Sequence, residues 1–307
     1  MNKNRILNLW KRFRLNSKYI FKKSGSWLVG IYAVLGFVAM FVPLDEFLPS
    51  LGIDGFWCQL LASVLILAAV FILCFVVATI YVLGKKRVKV LDGRNGKSVY
   101  VVYGNVFDEK IVPVGTERRS ICFAVNRCFD TVVDNTLISS SPVHGQALKW
   151  LYDQNKGFDA ETLNAKIQSR LSKNGEKSEK LTREKKPAGN LDRYSVGTGV
   201  DLPISDALHF FMIGIGIMNE RLKNHADPDE YCQAVQKMIE FIDTYSQGYP
   251  VILPIIGAGL TRLPASEKDL LKYLIHAFAL NTSSINSDIY IVVREEAMDS
   301  IAIADMC

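Results

Sequence analysis

The strongest candidate for chemistry is the run Gly257-Ala258-Gly259-Leu260, which follows an apolar, β-branched stretch at 252–256 and precedes a helix signal at Ser266. A buried strand, a glycine turn and a helix start in that order let several backbone N–H groups converge on one concave spot. That geometry holds a phosphate or pyrophosphate. A tight turn with nothing bound fits a single Gly-x-Gly equally well. The second concentration of polar groups is the stretch 126–148, with Asn126, Asp130, Asp134, Ser141-Pro142 and His144-Gly145. Asp130, Asp134 and His144 are acid/base candidates, but no nucleophile stands beside a recognisable base. Each also has a plainer reading: Asn126 as a turn residue closing a strand, the two aspartates as solvated groups, His144 as a surface histidine. Ser141 before Pro142 predicts a helix N-terminus, cap then proline at the first helical position, and so a second resting place for an anion.

Both stretches lie where predicted strands run into helices. Apolar alternation predicts strands at 97–104, 120–126, 194–199, 208–218, 252–256 and 289–293. Helices are expected at 142–152, 228–245 and 267–280, the last with Ser266 and Asp269 as a capping box. Strands alternating with helices make a three-layer α/β domain, whose ligands collect outside the carboxyl ends of the strands. The stretch 153–193 interrupts this order with lysine- and glutamate-rich sequence. It reads as a solvated insertion, with an exposed helix at 158–171 and a flexible excursion at 172–190.

The net charge of +5 hides a segregation of charge. Residues 1–25 form a basic segment, and no acid occurs before Asp45. The apolar runs 27–44 and 57–83, 18 and 27 residues long, are joined by a connector bearing Asp45, Glu46 and Asp54. Lys85, Lys86, Arg87 and Lys89 follow at once. At about 1.5 Å per residue each run can cross a bilayer. The expectation is a two-helix transmembrane hairpin at 26–84, both termini cytoplasmic by its basic flanks, ahead of a soluble domain at 88–307. Neither run holds a charge, which argues against a transporter or proton path and points to an anchor, or a pore element that works only as an oligomer. The amphipathic start (Leu7, Trp10, Phe13) either lies along an anionic leaflet or is a solvated basic tail. Six scattered cysteines show no Cys-x-x-Cys spacing and are expected as free thiols. Four histidines without metal spacing predict neither metal nor cofactor. A small basic excess without interleaved aromatics predicts no nucleic-acid binding.

Val125-Asn126 closing one strand, and Ile252-Leu253-Pro254 with Gly257-Ala258-Gly259-Leu260 closing another, resemble the two ligand loops of macro domains, the ADP-ribose-binding α/β fold. The wider pattern comprises Asn126, Phe129-Asp130-Thr131, Val133-Asp134, Ile138-Ser139, His144-Gly145, Gly197-Thr198 and the glycine loop, behind two apolar runs. It is similar to the transmembrane–macro effectors of type II Thoeris anti-phage systems. That resemblance implies two N-terminal transmembrane α-helices followed by a three-layer α/β/α macro-like domain with a mixed sheet. It also implies an effector that binds without turnover. A TIR-domain partner would make histidine-linked ADP-ribose from NAD, the domain would sense it, and homo-oligomers would disrupt the inner cell membrane. On the same footing, the amides of Gly257, Ala258, Gly259 and Leu260, with the helix after Pro142, would hold the pyrophosphate. Asn126, Asp130 and Asp134 would meet ribose hydroxyls or the signal's imidazole and amino group, with His144, Gly145, Gly197 and Thr198 completing the set. Asn105 stands where the family places an aspartate that reads adenine, and the glycine-rich first loop of hydrolytic members is absent. Both departures speak against removal of ADP-ribose from proteins. The alternatives are a membrane-tethered enzyme acting on ADP-ribose or NAD, and a scaffold that binds protein through its charged insertion.

Overall fold

A computed structural model describes residues 3–39, 55–154, 157–259 and 263–306 of the chain. It divides into two compact units: residues 1–86 together with 299–307, and residues 87–298.

The first unit holds two long helices, α1 (Lys3–Ala39) and α2 (Phe56–Gly84). Among the described residues α2 is the one helix long and apolar enough to cross a membrane, with a mean hydropathy of 3.2. Residues 40–44 of the first expected span lie outside the described residues. Residues 27–39 of that span form the carboxyl end of α1. The only buried residues of α2 are Cys74, Ala78 and Val82, one stripe at its carboxyl end. Partners spread along α1 meet that end: Phe13 and Phe21 touch Phe75, Trp27 touches Tyr81, and Arg12 donates to the Leu83 carbonyl at 2.8 Å. Among the described residues these contacts mark a crossing of the two helices. A 3₁₀ turn, Ile303–Met306, fills that crossing, with Ala304 buried among Ile20, Ala78 and Val82.

The second unit is built on a mixed sheet of order β1-β2-β10-β9-β3-β7-β6, with β8 paired to β7. The strands are β1 (Arg87–Asp92), β2 (Ser98–Tyr103), β3 (Arg119–Asn126), β6 (Gly199–Ser205), β7 (Leu208–Met218), β8 (Asn224–His225), β9 (Val251–Pro254) and β10 (Ile289–Val293). β2, β10, β9, β3 and β7 run parallel, and β1, β6 and β8 pair antiparallel to them. The central strands are buried on both faces, which is why they read as continuous apolar runs. Neighbouring side chains of β7 show the two outer layers. Phe210 meets Trp150 of α3 (Val143–Asp153), while Phe211 meets Phe241 of α5 (Pro228–Tyr245). α6 (Glu267–Leu280) is capped by Ser266, whose hydroxyl oxygen accepts from the Asp269 N–H at 3.2 Å.

Three expectations are corrected. The helix after Ser141 begins one residue late: Pro142 is its N-cap, extended at ψ 161°, and no side chain caps it. The stretch 194–199 is not one strand. Tyr194 ends β5 (Asp192–Tyr194), Gly199 begins β6, and Gly197 turns between them at φ 76°. The insertion is ordered rather than flexible. α4 (Ala160–Lys173) buries Leu163, Ile167 and Leu171 on one stripe, and β4 (Ser178–Lys180) pairs with β5 in a small sheet of its own. Spacing of four between those leucine and isoleucine residues is enough to bury a helix face inside an otherwise charged segment.

Candidate nucleotide-binding cavity

The carboxyl ends of the five parallel strands open on one side into a cavity of about 720 Å³. Gly104, Arg294, Pro254, Asn126 and Met218 line it, each standing at or just beyond the end of a different strand. A volume of that size suits a ligand of nucleotide dimensions.

Gly257, Ala258 and Gly259 form one wall, and Leu260 lies outside the described residues. Gly257 sits at φ 88°, where a Cβ would come within 2.8 Å of Leu263 Cδ1 and 2.9 Å of Tyr231 Cε2. Only glycine combines that backbone with so close an approach. Tyr231 of α5 holds the loop by donating its hydroxyl to the Ile256 carbonyl at 2.8 Å. The facing wall is the start of α3, where Pro142, Val143 and His144 line the cavity. A Cβ on Gly259 would lie 3.9 Å from Pro142 Cβ, so the two walls converge. First-turn N–H groups of a helix have no partner within it, and α3 lacks a side-chain cap. The glycine loop and an uncapped helix N-terminus thus face each other across one space, an arrangement that attracts an anion.

Asn126 lies at the end of β3, 4% exposed, and opens onto the cavity. Its Oδ1 accepts from the Cys128 N–H at 3.0 Å and from the Asp130 N–H at 3.5 Å, leaving the amide nitrogen as the donor it can offer. His144 is stacked on Phe123 with ring centres 6.1 Å apart. Burial pushes its imidazole down to about 4, against a main-chain hydrogen bond with Asp130 that favours the cation. It is therefore neutral near pH 7, and its buried Nε2 has no protein partner.

Five of the sequence candidates do not line this cavity. Asp130 is 1% exposed and paired with the fully buried Lys186, Oδ2 to Nζ 2.8 Å, while its Oδ1 accepts from the Asn190 N–H at 2.7 Å. Burial pushes its carboxyl up, and the Lys186 ammonium and the Asn190 amide pull it back down. Asp134 is exposed and closes its own turn, accepting from the Leu137 N–H at 2.6 Å and the Thr136 N–H at 2.8 Å. Those bonds, Leu137 foremost, hold its carboxyl below the usual range. Gly145 is packed under the loop before α3, where a Cβ would collide with the Ser139 carbonyl. Gly197 and Thr198 belong to the turn into β6: a Cβ on Gly197 would meet Lys237, and the Thr198 hydroxyl lies 3.3 Å from Glu176 Oε2.

Sequence reasoning missed the residues on the other rim. Arg294, Glu295 and Glu296 follow β10 directly, Glu267 and Asp108 also line the cavity, and Arg294 pairs with Glu267. Asn224 reaches in over Gly216, where a Cβ would collide with its carboxamide. The carboxyl-end rule applied to the last strand would have found Arg294 to Glu296. Nothing in the sequence says that β10 lies between β2 and β9. Among the described residues no group of three or more histidine, cysteine or carboxylate side chains could hold a metal.

A mixed sheet flanked by helices, with a glycine loop and a helix N-terminus closing on its strand ends, defines a macro-like α/β domain. The family model "Thoeris protein ThsA, Macro domain" matches residues 99–294. The chain belongs to that family. Thoeris protein ThsA of Bacillus amyloliquefaciens (strain Y2) is 25% identical to it over 190 residues, 61% of this chain and 58% of that protein. The chain thus spans under two-thirds of that relative's length. Solved structures similar to it include the Oceanobacillus iheyensis macrodomain with MES bound, at 12% identity and a TM-score of 0.45 over 72% of this chain and 94% of that one. The same macrodomain with ADP gives 11% and 0.39 over 71% and 93%. The macrodomain of Mycobacterium tuberculosis DarG gives 15% and 0.36 over 62% and 96%.

Proposed function

We propose that this chain is a membrane-tethered sensor of an ADP-ribose-type nucleotide, acting in anti-phage defence. The observation that carries the reading is the cavity itself: an anion-attracting cleft between Gly257–Gly259 and the start of α3, at the strand ends of a Thoeris macro domain. The diphosphate rests on backbone amides there, and Asn126 donates to the sugar or terminal group. The signal is histidine-linked ADP-ribose supplied by a TIR-domain partner. Its binding drives homo-oligomerisation, and the N-terminal helices, crossing the inner membrane twice with both termini cytoplasmic, disrupt the bilayer.

Binding without turnover is the reading supported by the state of the three acid/base candidates. Asp130 is tied to Lys186, Asp134 caps its own turn, and His144 is buried in the wall. The test is to titrate the full chain in detergent with ADP-ribose, NAD and histidine-linked ADP-ribose, following both thermal shift and ligand concentration. Stabilisation growing with the logarithm of ligand concentration, without consumption, is the expected result. Consumption of any of the three would point to the tethered enzyme, and indifference to all of them would remove the sensor.

A further inference from the structure

The loop that fixes Asn126 in the cavity wall is strained, and a distant segment holds it. Asn126 closes β3, and its carbonyl accepts from the Phe129 N–H at 2.9 Å, which makes a tight turn. Phe129 sits in that turn at φ 52° with its side chain fully buried. The left-handed region is an outlier for so bulky a residue. Such a backbone persists where its surroundings over-determine it, and it gathers at ligand clamps. What the turn delivers is a pair of N–H groups, from Cys128 and Asp130, to Asn126 Oδ1. They set the oxygen of the carboxamide against the loop, which leaves its nitrogen for a ligand.

The surroundings that over-determine this turn come from the insertion. The Tyr194 N–H, at the end of β5, donates to the Arg127 carbonyl at 2.9 Å. The Asn190 side-chain amide donates to the next two carbonyls, of Cys128 at 3.0 Å and of Phe129 at 3.2 Å. It is steadied in turn by Asn164 of α4, whose Oδ1 accepts from it at 2.8 Å. Asp130 follows, its carboxylate taken by Lys186 Nζ and the Asn190 N–H. Gly189 is pressed so close that a Cβ there would come within 2.2 Å of Asp130 Oδ1. Four successive residues, Arg127 to Asp130, are thus gripped by the insertion, and two of the same four hold Asn126 by their N–H groups. Among the described residues that line the cavity, neither Lys186 nor Asn190 is found.

We propose that Lys186 and Asn190 are positioning residues of the nucleotide site: the insertion clamps residues 127–130 in their strained turn, so that Asn126 meets the ligand in one orientation. The proposal rests on the function proposed above and gives that site a part lying outside the cavity wall.

The test is a double-mutant cycle on the full chain in detergent. ADP-ribose is the probe, and its affinity is read by calorimetry at a temperature below the melting transition of every variant. With Asn126 present, Asn190→Ala and Lys186→Met should each weaken the probe by about fivefold or more. In an Asn126→Ala background, itself weaker than wild type, either change should cost less than about a further twofold, because the side chain they act through is gone. A merely structural role would lower affinity by the same factor in both backgrounds, so equal losses overturn the clamp. Binding within about twofold of wild type in both single variants overturns it as well. Should Asn190→Ala fail to fold, Lys186→Met carries the cycle alone. Wild type that binds neither ADP-ribose nor its histidine-linked form would instead remove the sensor reading, and the clamp with it.

Discussion

Replacing Lys186 by methionine isolates the contact that joins the ordered insertion to the cavity loop. Lys186 is fully buried, 3.0 and 2.8 Å from the two Asp130 oxygens, and it also donates to the Asn190 carbonyl at 2.7 Å. Methionine keeps the volume and deletes the charge, leaving a carboxylate stranded where water does not reach. Breaking one side of such a pair costs about 3–5 kcal/mol, which for a domain of this size lowers the melting temperature by on the order of 10 °C. The pH dependence gives the sharper check. Burial already pushes the Asp130 carboxyl up, and removing the cation removes the main force pulling it down. Its pKa in the folded variant then stands well above the unfolded value of about 3.9. A group raised on folding stabilises most below its unfolded pKa, and that stability is lost as pH rises through the folded one. The deficit of Lys186→Met against wild type should therefore be largest above neutrality and shrink between pH 7 and pH 4. Adding Asp130→Asn should recover at least half of it. Melting curves of the detergent-solubilised chain across that range are the assay. A variant within 2 °C of wild type at pH 7.5, or a deficit indifferent to pH, would refute the reasoning.

Gly257→Glu should abolish nucleotide binding, because its side chain collides with Leu263 and Tyr231 and sets a negative charge against the phosphates; wild-type affinity by calorimetry would move the diphosphate elsewhere. Asp134→Ala should cost about 1 kcal/mol of stability through two lost turn bonds, with equal effects on ADP-ribose and its histidine-linked form. A selective loss of the histidine-linked form would bring Asp134 back to the site. His144 is depressed to about 4 by burial, so the unfolded chain binds its proton first as pH falls. Its contribution should fade from about pH 6.5 downward, by about 3 kcal/mol at pH 4, and His144→Gln should flatten that slope.

The fold was legible wherever burial on both faces left uninterrupted apolar runs. The limits of β7, α5, α6 and β10 follow directly from residues 208–218, 228–245, 267–280 and 289–293. The insertion was misread because lysine and glutamate dominate its composition, while its structure turns on the spacing of Leu163, Ile167 and Leu171 and on one buried lysine. The site was half legible for a related reason. A glycine loop and an asparagine closing a strand announce a local geometry, and Gly257, Ala258, Gly259 and Asn126 do meet at the cavity. Asp130 and Asp134 carry equally suggestive side chains, but whether a carboxylate faces a ligand depends on which neighbours claim its oxygens. Those neighbours are Lys186 and Asn190 for the first, Thr136 and Leu137 for the second. Lys186 lies 56 residues from its partner, so no local pattern reveals the claim. The same distance problem hid Arg294 to Glu296, which reach the cavity only because β10 inserts between β2 and β9. In a sheet whose order departs from chain order, the residues that close a pocket are set by crossovers, and polar groups near a motif are as readily spent on holding the loop as on the ligand.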